Sequence, residues 1–190
     1  MARTSRRRLS LQEFENLDDD GFYRHELVHG MLVREAPPNA EHGWLCARLV
    51  RLLDEFVERT KAGVVLVESG FVLTADPPTI RAPDIAFVDR SRTAGGFPQR
   101  AYIQGAPDLA IEIRSPSNRA ARISDKVRDY LEAGSKLVWV VDPYARSVVV
   151  HRPGADARVL GSGDELDGAE VLPDFRLRVI RIFGHGSAAR

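Results

Sequence analysis

Pro107-Asp108-Leu109-Ala110-Ile111-Glu112-Ile113-Arg114-Ser115-Pro116-Ser117 is the stretch on which the reading of this chain turns. Side chains alternate along a strand, so Leu109, Ile111 and Ile113 share one face while Asp108, Ala110, Glu112 and Arg114 share the other. Glu112 therefore stands mid-strand among apolar neighbours. An ionised carboxylate there is costly unless it is paired or coordinates a cation. The structural alternative is an ion pair with Arg114 or Arg81.

Downstream, Ser115-Pro116-Ser117-Asn118 offers cap residues for a helix from about Arg119 to Ala133, which Gly134 ends. Ile123, Val127, Tyr130 and Leu131 form its apolar stripe, and Lys126 lies beside that stripe. Its aliphatic stem can rest on the sheet while the ammonium reaches toward Glu112. A solvated helix lysine is the alternative. Lys136 to Val141 then reads as a strand buried on both faces.

Upstream, Val64 to Leu73 and Thr79 to Val88 read as two strands joined by the Ala75-Asp76-Pro77-Pro78 turn. Asp84 opens the apolar part of the second, where a turn acid is the alternative reading. Leu45, Leu49, Leu52 and Phe56 recur at helical spacing, so a helix runs from Glu41 to about Lys61. Leu9 to Leu17 reads as a short helix, followed by a turn at Asp18 to Gly21, and Phe22 to Arg34 as a strand pair broken near Gly30. After Val141, Ser147 to His151 and Arg158 to Leu160 read as antiparallel additions, and Phe175 to Phe183 as a last short segment. The order helix, three strands, helix, strand predicts an α/β (α+β) fold, a mixed central sheet flanked by helices.

The chain has 190 residues, the size of one domain, expected over residues 9–183 with a basic flexible tail at 1–8 and another tail at 184–190. Its 27 basic and 27 acidic side chains balance, which argues against a protein that coats nucleic acid with its whole surface. Arg3, Arg6, Arg7 and Arg8 supply a local basic cluster, read either as a nucleic-acid contact or as a solvated tail. Cys46 is the only cysteine, so no internal disulfide forms and a reducing, cytoplasmic setting is expected. No apolar run approaches a membrane-spanning length.

Asp84 and Glu112, on neighbouring strands, make a pocket suited to a hard divalent ion such as magnesium. Lys126 would stabilise charge on a phosphate or orient an attacking water.

These residues carry a resemblance. Arg81-Ala82-Pro83-Asp84-Ile85-Ala86-Phe87-Val88, the Pro107–Ser117 stretch, Lys126 with Tyr130, Ala133 and Gly134, and Val138-Trp139-Val140-Val141-Asp142-Pro143 resemble the Uma family of restriction-type endonucleases. That family is catalogued as a domain of unknown function and is similar to the PD-(D/E)XK nuclease superfamily. The likeness runs from about Leu9 to Phe183. It implies a restriction-endonuclease-like core in which Asp84 and Glu112 hold Mg2+ or Mn2+. The superfamily's usual lysine position, two residues after the second acid, is Arg114 here. The family's lysine comes from the next helix, which points to Lys126. Tyr23-Arg24-His25-Glu26-Leu27-Val28-His29-Gly30 and Glu41-His42-Gly43 also look like family positions, with Glu26 and His42 close to the pocket.

Together these readings predict metal-dependent hydrolysis of a nucleic-acid phosphodiester, DNA foremost, by a chain that pairs into a homodimer when both strands are cut. Arg81, Asp108 and Arg114, with Glu26 and His42, are expected around the metal ligands. Ser115 and Ser117 position substrate or, alternatively, cap the helix. One rival is a catalytically silent nuclease fold that binds DNA or a protein partner. The other is a zinc protease, because His25-Glu26-Leu27-Val28-His29 matches H-E-x-x-H. That match needs a helix, whereas the segment alternates like strands, which would separate the two histidines by roughly 13 Å.

Overall fold

The computed structural model describes residues 7–18, 21, 23–97, 101–115 and 120–184. Within them the chain runs α1 (Leu11–Glu15), β1 (Arg24–Val28), β2 (Met31–Glu35), α2 (Ala40–Thr60), β3 (Gly63–Val67), β4 (Phe71–Ala75), β5 (Pro78–Arg81) and β6 (Ile85–Asp89). It continues through α3 (Arg90–Thr93), β7 (Ile103–Gln104), β8 (Leu109–Ile113), α4 (Ala120–Glu132), β9 (Leu137–Asp142), β10 (Ser147–His151), β11 (Arg158–Leu160), β12 (Glu165–Gly168), β13 (Leu172–Arg178) and α5 (Ile180–Phe183).

The central sheet has the order β11-β10-β9-β8-β6-β3. In it β8 lies parallel to β9 and antiparallel to β6, with Glu112 beside Val140 and Ile85 beside Ile111. The sheet is mixed, as expected. Leu109, Ile111 and Ile113 pack with the apolar stripe of α2, while Ala110 packs with Ile123, Val127 and Tyr130 of α4. The two faces of β8 thus follow the alternation read from sequence. A second sheet, β2-β1-β5-β4-β7, packs through Phe71 and Leu73 against the α4 side, and its far face closes on Phe14 of α1.

α2 begins where the Asn39 side chain accepts the His42 amide at 2.9 Å, and its cap residue Lys61 is left-handed at φ 54°. This cap places His42 at the sheet end of the helix, facing inward.

Two expected strands are each two strands. Val64 to Leu73 splits into the end of β3 and β4, because the chain reverses through Glu68, at φ 48°, to Gly70. A Cβ on Gly70 would stand 2.3 Å from the Tyr102 ring, so only glycine fits there. Thr79 to Val88 splits at Ala82-Pro83-Asp84. Pro83 has no amide to donate, and the Ala82 amide leaves the ladder for Glu26 Oε1 at 3.0 Å. The last segment differs too: β13 starts at Leu172 and pairs with β12, and α5 follows it. The turn expected at Asp18 to Gly21 and the cap at Ser115 to Asn118 lie partly, and Ser117 wholly, outside the described residues, as do Arg3 and Arg6. Among the described residues no helix is long and apolar enough to cross a membrane.

Candidate active site

Glu112 sits on the α4 side of β8 with 1% of its surface exposed. Two residues one helical turn apart on α4 grip its two oxygens. Lys126 Nζ lies 3.2 Å from Oε2, and the Tyr130 hydroxyl donates to Oε1 at 2.8 Å. Burial, the largest influence, pushes the Glu112 carboxyl up; Lys126 opposes it, Asp84 and Glu26 add to it, and the result is about 8.

Asp84 stands where β6 would continue past Ile85, in register with Glu112. Its Oδ2 accepts the Ile113 amide at 2.7 Å and lies 3.0 Å from His42 Nε2, while its Oδ1 accepts Arg24 Nη1 at 3.0 Å. Burial pushes this carboxyl up, but His42 first, then Lys126 and Arg24, outweigh it and hold it down at about 2. The two carboxylates, adjacent in register, are therefore driven in opposite directions by what donates to them. The Cys46 thiol, donating to the Asp84 carbonyl at 3.6 Å, is pushed by burial up to about 11.

Lys126 is 2% exposed, so it is no solvated helix lysine. Besides Glu112, its ammonium lies 3.1 Å from Glu26 Oε1 and 3.6 Å from Glu35 Oε2. Desolvation lowers its proton affinity, but Glu112, Glu26, Glu35 and Asp84 together raise it above the ordinary lysine value. Glu26 is held in turn by Arg81 Nη1 at 2.8 Å, and Arg81 places Nε and Nη2 on Asp129 Oδ2 at 3.0 and 2.6 Å. Burial raises the Glu26 carboxyl less than Lys126 and then Arg81 lower it. Buried ion pairs of this kind hold together only when each charge finds a partner, because removing one leaves the other stranded in low dielectric.

Of the residues expected around the pocket, Glu26, His42 and Arg81 join this network. Asp108 and Arg114 do not. Asp108 is at the opposite end of the same strand face, roughly 13 Å away by strand rise, where it accepts the Asp89 amide at 3.0 Å and pairs with Arg92 and Lys136. Arg114 pairs with Asp142 and makes no ion pair with Glu112. Ser115 lies two residues beyond the end of β8. His25 and His29 lie on β1 and in the turn after it, with His29 at φ 49°, so the helix that H-E-x-x-H zinc binding requires does not form.

Arg24, Glu35, Asp129 and Tyr130 complete the network without having been singled out as site residues. Arg24 faces Glu35 directly across the β1–β2 pair. Strand alternation from Glu26 reaches Arg24, and helical spacing from Lys126 reaches Tyr130, so those two carried a usable signal. Glu35 and Asp129 carried none.

The donor set is one of carboxylate oxygens, the ligands a hard divalent cation prefers. Among the described residues, six carboxylates, Glu26, Glu35, Glu68, Asp84, Glu112 and Asp129, meet four strong bases, Arg24, Arg81, Lys126 and Arg128. The surplus of negative charge suits a divalent ion. The same residues are not arranged as a ready cage: no group of at least three His, Cys, Asp or Glu side chains is spaced to hold one, among those described. Each oxygen of Asp84 and Glu112 already meets at least one protein donor.

Comparison with known proteins bears on the fold and the family. A solved structure described as "a putative nuclease belonging to DUF820", from Anabaena variabilis ATCC 29413, matches with a TM-score of 0.81 and 20% identity over 92% of this chain and 97% of its own. At that identity the likeness speaks to the fold alone. A comparison with curated proteins finds no match. The family Uma2, described as "Putative restriction endonuclease", matches residues 11–180, a span holding every member of the buried network. The chain belongs to the Uma2 restriction-endonuclease family.

Proposed function

We propose that this chain is a metal-dependent endonuclease that hydrolyses phosphodiester bonds in DNA, with Asp84 and Glu112 as the ligands of a Mg2+ or Mn2+ ion. The observation that carries the reading is the convergence of Asp84, Glu112 and Lys126 in one buried, acid-rich cluster. A divalent ion held there supplies Lewis acidity toward the phosphate and a lowered pKa for bound water.

The chain's own residues do the rest. Lys126 keeps its charge under the influence of four carboxylates and brings an ammonium to the place where phosphate charge builds up. Glu26 fixes the position of that ammonium, Arg81 fixes Glu26, and Asp129 fixes Arg81. Tyr130 orients Glu112 through its other oxygen. His42 and the Ile113 amide hold Asp84 in its ionised form. Ser115, leaving the end of β8, and Ser117 would meet the substrate strand. Cutting both strands of a duplex with one site per chain takes two chains, so the reading includes a homodimer, in the reducing cytoplasm that suits the lone Cys46.

One observation favours a second reading, a catalytically silent module that binds DNA or a protein: the acids' oxygens are already satisfied by Arg24, His42, Lys126 and Tyr130. Cleavage of plasmid and single-stranded DNA by purified protein separates the two. With Mg2+ or Mn2+ the nuclease reading expects cutting that chelator abolishes and that Glu112→Gln and Lys126→Ala both lose. Equal inertness of wild type and both variants, with no divalent ion bound, would establish the silent module instead.

A further inference from the structure

The bases of the buried network are not equivalent. Lys126 and Arg81 expose 3% and 7% of their side chains, and each belongs to a chain of mutually supporting pairs. Arg24 exposes 21% and stands at the rim. Its Nη1 touches Asp84 Oδ1 at 3.0 Å and Glu68 Oε1 at 3.1 Å, and its Nη2 touches Glu35 Oε2 at 3.1 Å. One guanidinium thus bridges three carboxylates that do not by themselves converge as a metal cage. At its other end, Arg24 Nε is buried without a hydrogen-bond partner. The side chain is held by attraction to acids at its tip and leaves an unsatisfied buried donor at its neck, a cost that its undocking would relieve.

Asp84 makes the point sharper. Its Oδ2 is taken up by the Ile113 amide and His42, two donors that belong to the framework of β8 and α2. Oδ1 is blocked by Arg24. A cation that takes Oδ1 therefore competes with Arg24 for it.

We propose that Arg24 is the resident cation of this site, held on Asp84, the one proposed metal ligand it touches, and that metal binding proceeds by exchange with it. This rests on the metal-dependent reading of the pocket. Exchange makes the apparent affinity depend on how often Arg24 is docked: a docked fraction of roughly nine-tenths weakens metal binding about tenfold. Arg24 is then a positioning residue that keeps the acid pair closed and mutually tolerable in the absence of the ion. Arginine is suited to the task because its planar fork spans several carboxylates at once, which a lysine ammonium on a flexible stem does not.

The test is calorimetric titration of Mn2+ into wild type, Arg24→Gln, Arg24→Lys and Arg114→Gln, each first checked for a cooperative thermal melt. Arg114→Gln removes a nearby positive charge that lies outside the network, so it reports long-range electrostatics alone. Exchange expects Arg24→Gln to bind Mn2+ about tenfold tighter than wild type and Arg24→Lys to shift in the same direction despite its full charge, with Arg114→Gln near wild type. Measurable binding to wild type with no gain in either Arg24 variant would overturn the exchange and leave the metal reading standing. A gain equal in Arg24→Gln and Arg114→Gln, with Arg24→Lys unchanged, would also overturn it, since net charge would then suffice. Absence of Mn2+ binding in all four proteins would overturn the metal reading and the exchange with it. Should Arg24→Gln fail to fold, Arg24→Lys against Arg114→Gln still decides the matter.

Discussion

The two ends of β8 carry carboxylates on the same face, four residues apart, in opposite electrical worlds. Asp108, at the start, is met by Arg92 and Lys136, whose side chains are 31% and 54% exposed, and by the Asp89 amide. Asp108 is itself buried, but both of its basic partners reach water. Glu112, near the end, is covered by α4 and meets Lys126 and Tyr130, both buried, with Asp84 and Glu26 adding to its burden. What differs is the element lying over each residue. A carboxylate at a strand mouth can be an ordinary structural acid, whereas one under a helix becomes chemically useful only because its surroundings are organised to tolerate it.

The contrast should be widest in catalysis. Glu112→Gln is expected to lower metal-dependent DNA cleavage by about 10²-fold or more, whereas Asp108→Asn keeps it near the wild-type rate; plasmid nicking rates compare them directly. Equal loss in both variants would break the distinction between the two ends.

Stability comes next. Arg81→Ala removes the buried base shared by Glu26 and Asp129, leaving them Lys126 and the half-exposed Arg128, and is expected to destabilise the fold by about 3 kcal/mol, read from urea unfolding midpoints. A smaller, pH-dependent effect belongs to Glu112. Its folded-state pKa is raised from an ordinary glutamate value to about 8, so its contribution to stability is fully present below the unfolded value and is lost as pH rises through about 8. In chelator, thermal melts should therefore show Glu112→Gln gaining on wild type by about 3 °C or more between pH 5 and pH 8.5. Asp84 has the opposite sign: lowered to about 2, it contributes above the unfolded aspartate range and loses that contribution as pH falls toward 2. A flat Glu112→Gln difference would mean that Lys126 fully offsets the burial. The smallest effect is at the other end of the strand, where Lys136→Ala should change stability by about 1 kcal/mol or less, because an exposed partner is readily replaced by water.

Much of the frame was legible in the sequence, and particular residues show why. The stripe Leu45, Leu49, Leu52, Phe56 predicted α2, and the alternation around Glu112 assigned the two faces of β8 correctly. The apolar runs at Val64–Leu73 and Thr79–Val88 hid their breaks, because a chain reversal at Glu68 to Gly70 leaves hydrophobicity unchanged on both sides. β7 and α3 are too short to carry a period at all.

The site divides in the same way. Asp84, Glu112 and Lys126 could be picked out because a strand or helix pattern placed each on an inward or bordering face, and the family likeness joined them. Glu35 and Asp129 could not, since a charged residue in a hairpin or on a helix looks the same whether it faces water or a buried acid. Nor could Asp108 be separated from Glu112, which share a face in any strand reading.

The sequence by itself determined the periodicities, and through them the helices, the mixed sheet and the inward side of each element, because those depend on spacing within a few residues. Only the tertiary structure decided which charges meet. It brought β1, β2, α2, β6, β8 and α4 together so that Lys126 lies among Glu26, Glu35 and Glu112 and Arg24 closes on Asp84. Coulombic and hydrogen-bond energies depend on distance and burial between residues far apart in the chain, and no local pattern encodes them.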